Sequence, residues 1–246
     1  MEYGKDWLLR YNRMPILAES MMADLLDCVE VETGAAPTAS VIWLHGLGAD
    51  GHDFEPIVPE LHLPASLPVR FVFPYAPIRP VTLNNGMPMR AWFDIVKIGA
   101  HQPRDQAGML ASRAAVEGLI VRENQRGIPA SCIVLAGFSQ GGAVALYTGL
   151  QYKKRLAGIM ALSTYLPVEE GLDFTLHPAN AETPIFYGQG TQDPVVPLPL
   201  AEQTRRVLAA RGCRIAWYHY AMPHSVYPEE IGDVRAWLVS VLPVVS

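Results

Sequence analysis

The sequence predicts an α/β fold: a mostly parallel central sheet flanked by helices. Three observations predict it. Short apolar runs recur along the chain, several of them near-continuous, as in strands buried on both faces of a sheet. Segments with helical spacing lie between them, and alternating strands and helices build parallel crossover units. Twenty-one prolines and twenty glycines punctuate the runs, with no repeat, low-complexity block or long linker.

The strands expected in order are CVEVET (28–33), SVIWLH (40–45), VRFVFP (69–74), CIVLAGF (132–138), AGIMALS (157–163), PIFYGQG (184–190) and RIAWYHY (214–220). A helix is expected over 105–125, with Leu110, Ala111, Ala114, Gly118 and Val121 on its apolar face. The small-residue stretch QGGAVALYTGL after Ser139 reads as a second helix. A last helix over 229–242 would bury Ile231, Val234, Leu238, Val241 and Leu242. Pro228 suits its first turn, and Glu229 and Glu230 suit its positive end.

The 246 residues, 50% of them hydrophobic, suffice for one sizeable core. One domain is expected over 23–246, with residues 1–22 as an N-terminal extension of uncertain role. A net charge of −5 gives no electrostatic footprint for nucleic acid. The dense basic cluster Lys153-Lys154-Arg155 follows a helical pattern and reads as a cationic complement to that helix's C-terminus. The three cysteines, Cys28, Cys132 and Cys213, are scattered and suggest neither a disulfide framework nor a metal site. No apolar run reaches the ~18 residues of a membrane span, and the N-terminus lacks an unbroken signal core. A cytoplasmic setting without stable membrane insertion is therefore expected.

Chemistry points to LAGFSQGGA (135–143). A lone G-x-S-x-G is weak, but Ser139 directly follows a buried-strand pattern and directly precedes a helical one. That is the strand–turn–helix setting of a nucleophile elbow. Gly137 and Gly141 let strand and helix backbones approach closely. The amide of Gln140, at the helix start, is a candidate oxyanion donor. A serine hydroxyl needs a histidine base, and the base needs a carboxylate that fixes its tautomer. In hydrolases built on an elbow the chain order is Ser, acid, His. Of the later histidines, His177 lies in an irregular stretch and His219 inside a strand pattern. His224, in YAMPHSVYPEE, falls between the last strand and the last helix. Among the acids, Asp193 alone follows a buried-strand pattern, in PIFYGQGTQDPVVP; a turn role before Pro194 is the competing reading. Glu169, Glu170 and Asp173 read as loop solvation. His45-Gly46-Leu47-Gly48, after an early strand, offers a second oxyanion donor, with Leu47 N–H best placed and His45 structural.

LHGLGADGHDF, PIRPVTLNNGMPMRAWFDI, LAGFSQGGA, GQGTQDPVVP and MPHSVYPEEI, in this order, resemble the phospholipase/carboxylesterase family. These are α/β-hydrolases that include bacterial carboxylesterases and acyl-protein thioesterases. The similarity spans residues 28–243. It implies Ser139 as nucleophile, His224 as general base, Asp193 as its orienting acid, and the Leu47 and Gln140 amides as the oxyanion hole. It also implies little or no cap domain and no metal or organic cofactor. Leu83, Met87, Met89 and Trp92 are expected to line a pliable acyl groove; in the other reading Trp92 is core and the methionines fill gaps.

The expected function is hydrolysis of carboxylic esters of short to medium acyl chains through an acyl-enzyme. An acyl-protein thioesterase or lysophospholipase is the alternative, and a non-catalytic hydrolase-fold binding module is the alternative from another class. The expected partner is a small-molecule acyl ester or thioester, or an acylated protein. A homodimer fits the habit of relatives.

Overall fold

The computed structural model describes residues 25–97, 105–166 and 175–243. The expected extension at 1–22 and the acids Glu169, Glu170 and Asp173 lie outside them. The strands are β1 (Cys28–Glu32), β2 (Ala39–Leu44), β3 (Val69–Pro74), β4 (Ile78–Val81), β5 (Met87–Arg90), β6 (Ile133–Phe138), β7 (Gly158–Leu162), β8 (Ile185–Gly190) and β9 (Ile215–Tyr220). The helices are α1 (Ile57–Glu60), α2 (Gln106–Gln125), α3 (Gln140–Gln151), α4 (Leu198–Ala210) and α5 (Pro228–Val241).

Seven strands form the main sheet in the order β1-β3-β2-β6-β7-β8-β9. All neighbours pair in parallel except β1, which runs antiparallel along β3. From β2 the chain moves outward to β3; from β6 it moves outward the other way. The direction of winding thus reverses between β2 and β6, and such a switch point opens a crevice at the carboxyl ends of the strands. Leu44 pairs with Gly137 there. The loop after Leu44 and the elbow after Phe138 therefore leave the sheet side by side.

Alternate residues of each central strand feed opposite cores. Ile42 and Leu44 of β2 pack with Val116 and Leu119 of α2 and Leu146 of α3. Val41 and Trp43 pack on the other face, which also takes Val58 of α1 and Val234, Trp237 and Leu238 of α5. Helices on both faces explain why these strands read as unbroken apolar runs.

Two expectations are corrected. The buried face of α2 is Met109, Ser112, Val116, Leu119, Ile120 and Glu123, while Leu110 and Val121 are exposed. Two polar residues on the inner face defeat hydrophobic periodicity. Ser112 Oγ donates to Trp92 O, and Glu123 Oε2 accepts from Arg70 Nη1 at 3.0 Å. The stretch 77–93, where no strand was expected, contains a second, two-stranded sheet of β4 and β5, with Val81 paired to Met87. Pro80 and Pro88 sit opposite each other in it, and Asn85 and Gly86 at its tip take positive φ. That composition hides a hairpin. No described helix is long and apolar enough to cross a membrane.

Candidate active site

Ser139 stands between β6 and α3 with φ 52° and ψ −118°. A non-glycine residue pays for positive φ only where its surroundings enforce it. Here Ser139 N–H donates to Leu162 O at 2.9 Å, and Thr164 Oγ1 donates to Ser139 O at 2.6 Å. Close backbone contact completes the constraint. A Cβ on Gly137 would lie 2.3 Å from Gly141 O, and one on Gly141 2.3 Å from Leu44 O. Glycine at both positions lets strand, helix and the loop after β2 meet.

Asp193 follows β8 and is nearly buried. Its Oδ1 accepts the N–H groups of Val195 and Val196, each at 2.8 Å. Its Oδ2 accepts from Gln189 Nε2 at 3.3 Å and lies 2.7 Å from His224 Nδ1. A carboxylate only accepts, so Nδ1 carries the proton and Nε2 is left as the basic nitrogen. Two backbone bonds stitch the acid and base loops together: Thr191 N–H to Tyr220 O at 2.8 Å and Gln192 N–H to Met222 O at 3.1 Å. The imidazole packs on Phe138, the residue before Ser139, with ring centroids 4.6 Å apart. Among the described residues Ser139 Oγ makes no hydrogen bond. In unliganded sites that bond is often long and tightens with substrate.

Gln140 N–H heads α3, where the first amides of a helix lack intrahelical acceptors. Leu47 N–H has no acceptor among the described residues. The loop carrying Leu47 is pinned by Gly48 N–H to Arg90 O at 2.9 Å. His45 is buried; its Nδ1 donates to Gly46 O at 2.7 Å and its Nε2 accepts from Ala76 N–H at 3.1 Å. Burial pushes its pKa down, as a neutral ring that both donates and accepts requires. The Gln140 side chain was not anticipated: Oε1 accepts from Trp92 N–H at 2.8 Å and Nε2 donates to Phe93 O at 2.7 Å. It ties the elbow to the segment after β5.

The cavity beside Ser139 is lined by Phe93, Ile95, Gln140, Ala143, Thr164, Tyr165 and Val196. None of Leu83, Met87, Met89 and Trp92 lines it. The expected role of Trp92 is corrected: it is wholly buried, and its indole N–H donates to His45 O at 2.9 Å. The side chain holds the loop that follows β2. Leu83 and Met87 are exposed on the hairpin, and Met89 Sδ approaches Gly48. Sequence reading passed over Thr164, although it follows β7 at the carboxyl edge of the sheet, where function collects. Of the other histidines, His219 is exposed on edge strand β9, and His177 Nδ1 accepts from Ala179 N–H at 3.2 Å.

A serine at positive φ between a buried strand and a helix, with a carboxylate-bound imidazole packed against the residue before it, is the arrangement of a serine-type α/β-hydrolase. The chain belongs to the phospholipase/carboxylesterase family, whose profile matches residues 26–242. It is 37% identical over 240 residues to acyl-protein thioesterase 1 of Cryptococcus neoformans, covering 90% of this chain and all of that one. It is 41% identical over 221 residues to acyl-protein thioesterase 1 of Neurospora crassa, covering 86% and 90%. Among solved structures it resembles Arabidopsis thaliana SOBER1 (TM-score 0.76, 30% identity, 83% of this chain and 99% of that one). It also resembles Zea mays acyl-protein thioesterase 2 (TM-score 0.76, 29% identity, 88% and 99%). The protein is thus an ester or thioester hydrolase.

Proposed function

We propose that the protein is an acyl-protein thioesterase, releasing an acyl group from thioester linkage to a protein. The observation that carries this is identity of 37% and 41% to relatives of that name over most of both chains. It reverses the order expected from the residues alone, in which a generic carboxylesterase came first.

In this reading Ser139 Oγ attacks the acyl carbonyl while His224 Nε2 takes its proton. The Leu47 and Gln140 amides hold the oxyanion, each such donor being worth ~3–4 kcal/mol. The tetrahedral oxyanion collapses, re-forming the carbonyl as the C–S bond breaks, and the thiol leaves with the proton from His224. Water, deprotonated by the same nitrogen, attacks the acyl-enzyme and frees the acid. No step calls for a metal or organic cofactor.

The cavity beside Ser139 is small, about 30 Å³, well below the roughly 300–1,000 Å³ of sites that enclose a small molecule. It receives the carbonyl end of the substrate. The rest of an acyl chain has to displace Phe93 or Ile95, or run over the open surface where a protein substrate would dock. The setting in this reading is cytoplasmic, with Cys28, Cys132 and Cys213 as free thiols.

The test compares kcat/KM for an S-acylated peptide, a p-nitrophenyl ester and a lysophospholipid of one chain length. The thioester is expected to lead by at least about tenfold, a margin of ~1.4 kcal/mol. Equal or better turnover of the oxygen ester returns the assignment to carboxylesterase. Ser139→Ala is expected to lower kcat by ~10⁶ and abolish fluorophosphonate labelling.

A further inference from the structure

The basic cluster Lys153-Lys154-Arg155 plays no part in the chemistry above. α3 ends at Gln151 with its cap at Tyr152, so the three cations lie beyond the helix rather than in its last turn. Arg155 instead lines a cavity of about 660 Å³ at the amino edge of β6–β9, the opposite edge of the sheet from Ser139. That volume lies within the 300–1,000 Å³ typical of small-molecule sites.

The lining has two parts. Leu156, Pro184, Ile185, Ile215 and Trp237 give an apolar floor, and Arg155 and Arg214 supply charge. Among the described residues no carboxylate lines the cavity. Neither guanidinium has an ion-pair or hydrogen-bond partner among the described residues. This contrasts with Arg70, Arg122 and Arg126, each held by glutamates.

The backbone that presents the two arginines is fixed. Buried Asn180 donates through Nδ2 to Tyr152 O and Lys154 O, at 2.8 and 2.9 Å, and accepts Leu156 N–H through Oδ1 at 2.9 Å. Arg214 O accepts from Ile185 N–H at 2.8 Å. The C-terminal end of α5 borders the cavity. Its partial charge of about −0.5 is outweighed by two full positive charges.

We propose that this cavity binds a small organic anion: an apolar body of ring or short-chain size carrying one carboxylate, sulfonate or phosphate head. The body lies on the Trp237 floor and the head lies between Arg155 and Arg214. Planar guanidinium forks suit oxyanions of this kind.

The test titrates 8-anilinonaphthalene-1-sulfonate into the full chain and follows its fluorescence. Wild type is expected to bind one equivalent saturably. Arg155→Ala/Arg214→Ala is expected to weaken binding at least tenfold without lowering the melting temperature, since both side chains are exposed. Arg206→Ala/Arg235→Ala removes the same charge elsewhere and is expected to bind as wild type does. Inorganic phosphate is expected to compete only at concentrations at least tenfold higher than the dye. The proposal is overturned if wild type does not saturate, if the Arg155/Arg214 variant binds like wild type, or if the control loses as much. Phosphate competing as well as the dye would overturn the apolar half of the site.

Discussion

Asp193 has every lone-pair direction in use. Its Oδ1 holds two backbone amides, and its Oδ2 holds His224 and Gln189 Nε2. In Asp193→Asn the amide oxygen would stay on the Val195 and Val196 N–H groups, leaving the NH₂ facing His224 Nδ1. The ring would then accept at Nδ1 and carry its proton on Nε2, the atom that the proposed mechanism uses as base. We expect kcat to fall on the order of 10⁴ with KM little changed, measured on a p-nitrophenyl ester. The candidates Ser139, Asp193 and His224 were legible because each sits in a loop directly after an apolar run. Trp92 and Gln140 were not, because their work is hydrogen bonding to backbone atoms that are distant in sequence. Nothing local distinguishes an indole that fixes a loop from one that lines a pocket.

Elements meet here through contacts that tolerate little change. Gly141→Ala would drive a methyl into the carbonyls of Leu44 and His45, which cannot swing aside as a side chain could. We expect a loss of about 1–3 kcal/mol in urea unfolding, and a larger fractional loss of activity, because the displaced loop carries Leu47. α2 is joined to β3 by Glu123, fully buried between Arg70 and Arg126. Glu123→Ala strands the Arg70 charge and is expected to cost about 3–5 kcal/mol. The low end is favoured because Arg70 keeps Glu32, at 2.8 Å. The existence of α2 could be read from its sequence, but its inward face could not. Apolar spacing chose Leu110 and Val121, whereas pairing with Arg70 and Trp92 turned Glu123 and Ser112 inward. The hairpin was missed because proline and glycine are ordinarily signs of irregular chain.

Across the whole molecule, one buried acid makes stability depend on pH. Glu230 lies in the first turn of α5, at the helix's positive end, as its position in the sequence led one to expect. It is fully buried, which the sequence did not reveal, and neither of its carboxyl oxygens has a hydrogen-bond partner among the described residues. Burial, with Asp233 adding to it, pushes its pKa up to about 8. The folded state therefore keeps a proton that the unfolded chain releases near its ordinary value of 4.5. Between those values stability falls as pH rises, by at most ~1.4 kcal/mol per pH unit from this group. Below the window it contributes no loss, and above it the loss is complete. Glu230→Gln is expected to flatten that slope, and its gain in melting temperature over wild type should grow from pH 5 to pH 8. A constant difference across that range would contradict the assignment.

The sequence by itself determined the α/β class, the order along the chain of the seven main-sheet strands and the candidate residues for acyl transfer. These follow from periodicities and short motifs, which are local. Only the tertiary structure decided that β2 and β6 are neighbours at the switch point, which puts the Leu47 loop beside Ser139. It also decided that Trp92 belongs to the scaffold, that Glu230 is buried, and that Arg155 faces a cavity with Arg214. Each depends on which segments pack together across long separations, and local pattern carries no record of that.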